Sequence, residues 1–198
     1  MKKPVLTFLT TLSLSAPLIA TEPSNEWIEE YIETVPDFPK PGIQFKCYPD
    51  LLKNPDAFHR VIKTFADRYR DASLNAIVGL DSRGFIFGTA LAYEMNLPFV
   101  MVRKAGKLPR KAEKIDYDLE YGKASFEMEV ESIRPGDRVL IIDDLLVTGG
   151  TAAAAATLVE RLGGEVVEVA CLIELVGLEG REHLNRPFYS LLTIEVDE

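Results

Sequence analysis

The sequence predicts an α/β protein built on a central, mostly parallel sheet flanked by helices. Three observations carry that expectation. Runs at 76–80, 99–103, 139–142 and 166–175 read as strands, and the continuous β-branched and leucine run at 139–142 suits a strand buried on both faces. Stretches whose apolar residues recur at helical spacing lie between them, at 54–69, 85–95 and 152–162. Glycine-bearing turns follow the runs at 76–80 and 139–142, at the carboxyl ends where open α/β sheets hold ligands.

The start, MKK followed by PVLTFLTTLSLSAPLIA, has the positive end and apolar stretch of a secretory signal. It is too short and too rich in hydroxyls for a membrane span. Residues 1–21 are therefore expected to form an extension, and 22–198 a single domain. In SNEWIEEYIETV, Trp27, Ile28, Tyr31, Ile32 and Val35 form a helical stripe with acids at its start. Four prolines between Pro36 and Pro49 predict an irregular segment after it.

Asn54 and Pro55 read as the cap and first turn of a second helix, with Phe58, Val61, Ile62, Phe65 and Tyr69 on one face. Strand 76–80, helix 85–95 and strand 99–103 follow. A long charged loop is expected next, then a strand at 125–130. The Pro135, Gly136, Asp137 turn leads into strand 139–142. A strand near 166–175, a short helix near Gly180 and a final strand from Phe188 close the domain.

Composition removes some function classes. A net charge of −9 over 198 residues argues against a general nucleic-acid binder, which needs excess Lys and Arg. Positive charge is concentrated at 103–114, where RKAGKLPRKAEK holds six basic residues against one acid, as an anion-capturing segment would. Two cysteines do not make a disulfide framework: Cys171 reads as a core residue, and Cys47 as an inert thiol in a loop. His59 and His183 are too isolated for a protein-held metal site.

The most informative string is VLIIDDLLVTGGT, thirteen residues at 139–151. Asp143 and Asp144 are expected where the strand leaves the sheet, and two adjacent carboxylates need partners such as ribose hydroxyls or hydrated Mg²⁺. Val147, Thr148, Gly149, Gly150 and Thr151 then make a loop whose backbone can approach an anion closely, at the positive end of the helix that follows. The arrangement reads as a ribose-phosphate cradle. Neither a P-loop GxxxxGK[ST] nor a GxGxxG after a strand occurs.

This string is similar to the phosphoribosyl pyrophosphate (PRPP) signature of type I phosphoribosyltransferases. VPDFPKPGIQF at 35–45, GLDSRGFIFG at 79–88, VRKAGKLP at 102–109 and YDLEYGK at 117–123 resemble segments of the adenine phosphoribosyltransferases, in order and spacing. The resemblance runs from about Trp27 nearly to the end. It implies the type I fold with a small hood from the N-terminal segment and a mobile lid loop, and transfer of the phosphoribosyl group of PRPP to adenine, giving AMP and pyrophosphate. Other readings are a transferase for another purine base, a PRPP-sensing regulator without catalysis, and, on the N-terminus alone, an exported binding protein.

The resemblance also distributes roles. Asp143, Asp144 and the loop from Val147 to Thr151 would hold the ribose and its 5-phosphate. Asp81, Ser82, Arg83 and Gly84, with a cis peptide expected between Asp81 and Ser82, would bind pyrophosphate, helped by Arg103, Lys104 and Lys107. Gly106 and Pro109 bound the lid. Glu120 would exchange a proton with the purine ring, beside Tyr121, and Arg83 joins it as a catalytic candidate. Phe45 would stack on adenine, with backbone groups of Gln44 and Lys46 reading the ring edge. Mg²⁺ is expected to arrive with PRPP near Asp143 and Asp144. A homodimer is implied, with no nucleic-acid partner and no stable membrane association. The cytoplasm is the expected location, because PRPP is made inside cells and does not cross membranes unaided, with export or organelle targeting as the alternatives that the N-terminal segment raises. Two departures stand out: Lys46, Cys47 and Tyr48 replace the more common arginine, aspartate and aliphatic residue, and Val147 stands where alanine is usual.

Overall fold

The computed structural model describes residues 24–119 and 122–196. The chain enters through a 3-10 turn at Glu26–Tyr31 and two short strands, β1 at Glu33–Pro36 and β2 at Gln44–Cys47, paired antiparallel. The expected helix thus stops short of Ile32. Ile32, Thr34 and Val35 are β-branched, Pro36 cannot continue a helix, and pairing with β2 satisfies the backbone. The irregular proline segment is correspondingly shorter than expected, and Cys47 ends a strand instead of lying in a loop.

Two helices follow, α1 at Pro49–Lys53 and α2 at Pro55–Tyr69. The Asn54 side chain accepts from the Ala57 amide at 3.1 Å, as the capping pattern predicts. Val61, Ile62, Phe65 and Tyr69 are buried along one face. Then come β3 at Ala76–Leu80, α3 at Gly84–Glu94, β4 at Phe99–Lys104, β5 at Ala112–Leu119 and β6 at Gly122–Glu129. β7 spans Arg138–Leu146, α4 Gly150–Arg161, β8 Glu165–Val176, α5 Gly180–Leu184 and β9 Phe188–Glu195.

The expected charged loop proves to be mostly strand. Ile115, Tyr117 and Leu119 alternate with Asp116 and Asp118, a period of two that suits β5, and β5 pairs antiparallel with β6 along its whole length.

The main sheet runs β5-β6-β4-β3-β7-β8-β9. From β4 to β9 the pairings are parallel; β6 joins β4 antiparallel. β7 divides the core by alternation. Leu140 and Ile142 face the cluster containing Phe65, Phe87 and Leu91, whereas Val139 and Ile141 face the side covered by α4. Ala152, Ala154, Ala155 and Ala156 are all buried there, and their small side chains bring α4 close to the sheet.

The register sets the site. Pairing of β3 with β7 ends at Gly79 and Ile142, while β7 continues beside β8 as far as Leu146 and Glu174. Asp143 and Asp144 therefore lie within a strand, not at the point where it leaves the sheet. They stand beyond the last β3–β7 pair, where among the described residues β7 is paired with β8 alone.

Candidate functional site

The turn after β3 faces that edge. The peptide between Asp81 and Ser82 is cis, as the resemblance implied. Gly84 opens α3 so close to β7 that an added Cβ would lie 2.8 Å from both the Ile142 carbonyl and Asp143 Oδ1. Asp81 Oδ2 accepts from Arg103 Nε at 2.8 Å and from the Lys104 amide at 3.4 Å. Burial works to raise the Asp81 pKa, but those donors prevail and hold it below the ordinary carboxylate range. Arg103 also sits 5.7 Å from the Phe85 ring, so this expected phosphate cation is anchored in a pair. Lys104 and Lys107 are exposed.

Across the step, Asp144 is only 3% exposed and its charge is compensated on the spot. Its Oδ2 lies 2.9 Å from Arg83 Nε and accepts from the Tyr48 hydroxyl at 2.8 Å. The half-buried Asp143 accepts the Asp144 amide at 2.9 Å through Oδ1. Its pKa is raised, first by burial and then by the Asp144 charge, with Arg83 pulling the other way.

Val147, Thr148, Gly149, Gly150 and Thr151 follow β7 and open α4. Gly149 has φ 79°, and a Cβ there would collide with the Gly180 carbonyl, so only glycine fits. α5 buttresses this loop from behind. His183 Nδ1 lies 3.1 Å from the Thr148 carbonyl oxygen, and the buried Glu174 holds α5 through Arg181, at 2.5 Å from both Nε and Nη2. The helix start leaves backbone N–H groups without intrahelical partners and places a positive dipole end there.

Gln44, Phe45 and Lys46 lie on β2. The Phe45 ring is 5.2 Å from that of Phe38 and 5.2 Å from the Arg83 guanidinium, so the base-loop residue and the turn after β3 meet. The Lys46 ammonium donates to Thr34 Oγ1 at 2.9 Å. Among the described residues β2 pairs with β1 alone, so its other edge can offer main-chain donors and acceptors.

Glu120 and Tyr121, between β5 and β6 in sequence, lie outside the described residues. Arg161 of α4 donates through Nη1 to the Lys114 carbonyl at 3.2 Å, and lies 3.4 Å from Glu113 Oε1. Tyr117 neighbours Thr151 and Asp143; burial raises its hydroxyl pKa, a hydrogen bond with Thr151 opposes the rise, and Asp143 adds to it.

Sequence reasoning missed Tyr48 as a partner of Asp144, and the Glu174–Arg181 brace. The signal for the first was its departure from the family pattern. For the second, an acid within the apolar run of β8 was available. Among the described residues no three His, Cys, Asp or Glu side chains gather as metal ligands. A pair of carboxylates such as Asp143 and Asp144 suits a hard cation that brings phosphate and water oxygens with it.

A parallel sheet with an acid pair at its stepped edge, opposite an arginine-bearing turn, defines a type I phosphoribosyltransferase. The phosphoribosyl transferase domain family matches residues 48–198. The adenine phosphoribosyltransferase of Roseiflexus castenholzii is 53% identical over 166 residues, covering 83% of this chain and 96% of the relative. The chain belongs to the adenine phosphoribosyltransferase family. The crystal structure of that enzyme from Rhodothermus marinus superposes with TM-score 0.81 at 46% identity, covering 86% of this chain and 98% of the other. The enzyme from Saccharomyces cerevisiae, complexed with an iminoaltritol bisphosphate and adenine, gives 0.82 at 40% identity over 85% and 98%.

Proposed function

We propose that this chain transfers the phosphoribosyl group of PRPP to adenine, forming AMP and pyrophosphate in purine salvage. The observation that carries the reading is the Arg83–Asp144 pair, 2.9 Å apart. It brings the turn after β3 against the acid pair of β7, which supports a pyrophosphate role for the one and a ribose role for the other. On this reading Asp143 and Asp144 accept from the ribose hydroxyls, and the amides and hydroxyls from Val147 to Thr151 receive the 5-phosphate. The turn from Asp81 to Gly84 receives pyrophosphate, with Arg83 facing the departing charge and Lys104 and Lys107 adding exposed cations. Arg103 contributes by fixing Asp81.

A purine nitrogen forms the new bond to C1 as the C1–O bond to pyrophosphate breaks, and the electron pair leaves with the pyrophosphate oxygen. Holding the reacting atoms in line is the main task of the site. Phe45 stacks on the base, and the free edge of β2 around Gln44 and Lys46 supplies main-chain hydrogen bonds. The Glu120 carboxylate takes the ring proton, with Tyr121 beside it, and both enter the reading through the family resemblance. Bound Mg²⁺ would shield the phosphate charges, with Asp143 and Asp144 as its nearest carboxylates.

The same reading includes a homodimer, cytoplasmic residence, and one domain over 22–198 after an extension at 1–21. No helix among the described residues is long and apolar enough to cross a membrane. The decisive assay supplies the purified full chain with PRPP, Mg²⁺ and each purine base in turn. AMP from adenine alone supports the reading; product from another base would reassign the acceptor, and no product from any base would remove the enzyme activity.

A further inference from the structure

Tyr48 is one of the positions at which this chain departs from the pattern its sequence resembles: a hydroxyl stands where an aliphatic side chain is expected. It is 5% exposed, and its ring packs 5.7 Å from that of Phe87. A buried phenol without a partner would be costly, and this one finds its partner in Asp144, at 2.8 Å from Oδ2. Arg83 Nε approaches the same oxygen at 2.9 Å. Phe45, three residues before Tyr48, lies 5.2 Å from the Arg83 guanidinium. The short segment 45–48 therefore touches the Arg83–Asp144 pair from both of its ends. An aliphatic residue would have no hydroxyl to offer that oxygen.

We propose that Tyr48 is a positioning residue for the donor: its hydroxyl fixes the Asp144 carboxylate so that Oδ1 is presented to the ribose hydroxyls of PRPP. This rests on the functional reading above. With Oδ2 held by two donors from different elements, the carboxylate cannot rotate without breaking a charge-assisted hydrogen bond. Rotational freedom is then removed before the donor arrives, and less ordering remains to be done on binding. The role predicts an effect on donor affinity and little on the chemical step.

The test compares the wild-type chain with Tyr48→Phe, which keeps the ring and its packing on Phe87, and with Tyr48→Leu. Calorimetric titration with PRPP and Mg²⁺ gives Kd, steady-state kinetics give kcat and both KM values, and circular dichroism verifies folding. Tyr48→Phe should raise Kd and KM for PRPP about tenfold, the scale of one hydrogen bond to a charged group. It should change kcat and the adenine KM by less than about twofold. Tyr48→Leu should show a donor loss of the same size. In an Asp144→Asn background, Tyr48→Phe should have little further effect on Kd, since the oxygen it orients is no longer a carboxylate's.

Unchanged PRPP affinity in folded Tyr48→Phe, or losses that simply add in the double variant, would overturn this role while wild-type turnover left the functional reading intact. A wild-type chain that binds no PRPP would overturn both.

Discussion

Arg103 donates from Nε to Asp81 Oδ2 at 2.8 Å, joining the end of β4 to the turn that follows β3. The Asp81 side chain is only 11% exposed, so the pair is largely shielded from water. Its pKa lies below the unfolded value of 3.8, because the hydrogen bonds from Arg103 and Lys104 outweigh the opposing effect of burial. The pair's contribution to stability is therefore full above that value and is lost as pH falls through the lower folded pKa. Thermal melts from neutral to acid pH should show this loss. Asp81→Asn should lower neutral stability by about 1–3 kcal/mol and flatten the acid limb; an unchanged acid limb would remove Asp81 from its cause.

Arg83→Lys should keep one positive charge but lose the planar fork that reaches Asp144. Turnover should fall about a hundredfold if Arg83 faces the departing pyrophosphate. Single-turnover AMP formation at saturating substrates is the measurement, and a loss confined to KM would assign Arg83 to binding only.

Gly84→Ala places a methyl group against the Ile142 carbonyl and Asp143, both 2.8 Å from the new carbon. Backbone cannot yield as a flexible side chain would, so α3 must shift. A stability loss of about 1–3 kcal/mol in urea is expected, together with weaker PRPP binding because Asp143 moves. A variant with wild-type stability and affinity would show that the gap between α3 and β7 widens freely.

Glu120→Gln should lower turnover by at least about a hundredfold while calorimetric PRPP affinity stays near wild type, as expected of a group that only moves a proton. Equal losses in affinity and turnover would place Glu120 in donor binding.

Much of this was legible in the chain because local pattern and tertiary placement agree. The apolar runs of β3, β7 and β8 suit buried strands, the run of β4 suits a strand buried on one face, and Asn54 with Pro55 marks a helix start. Where expectation failed, a long-range partner decided. Val35 left its helical stripe because β2 pairs with it, and the charged stretch containing Ile115 and Tyr117 became a strand because β6 lies alongside. Asp143 and Asp144 belong to the strand because β8 is long enough to carry them. The acids, the glycine loop and Arg83 stand out by residue type and order. The Tyr48–Asp144 hydrogen bond spans 96 positions and has no local signature, though the unusual residue at position 48 marked the place.

The step in the sheet, where β7 outruns its pairing with β3, acts as a gauge of span. The glycine loop lies beyond the far end of the overhang and the turn at Arg83 at its near end, with the two acids between them. On the proposed reading, a ligand engages both ends only if a sugar-sized spacer separates two anionic groups. On the same reading, ribose 5-phosphate or free pyrophosphate would meet one end alone. Discrimination for the intact donor would thus come from distance set by backbone pairing, and changing the length of the β7–β8 ladder should alter it more than exchanging any exposed lysine.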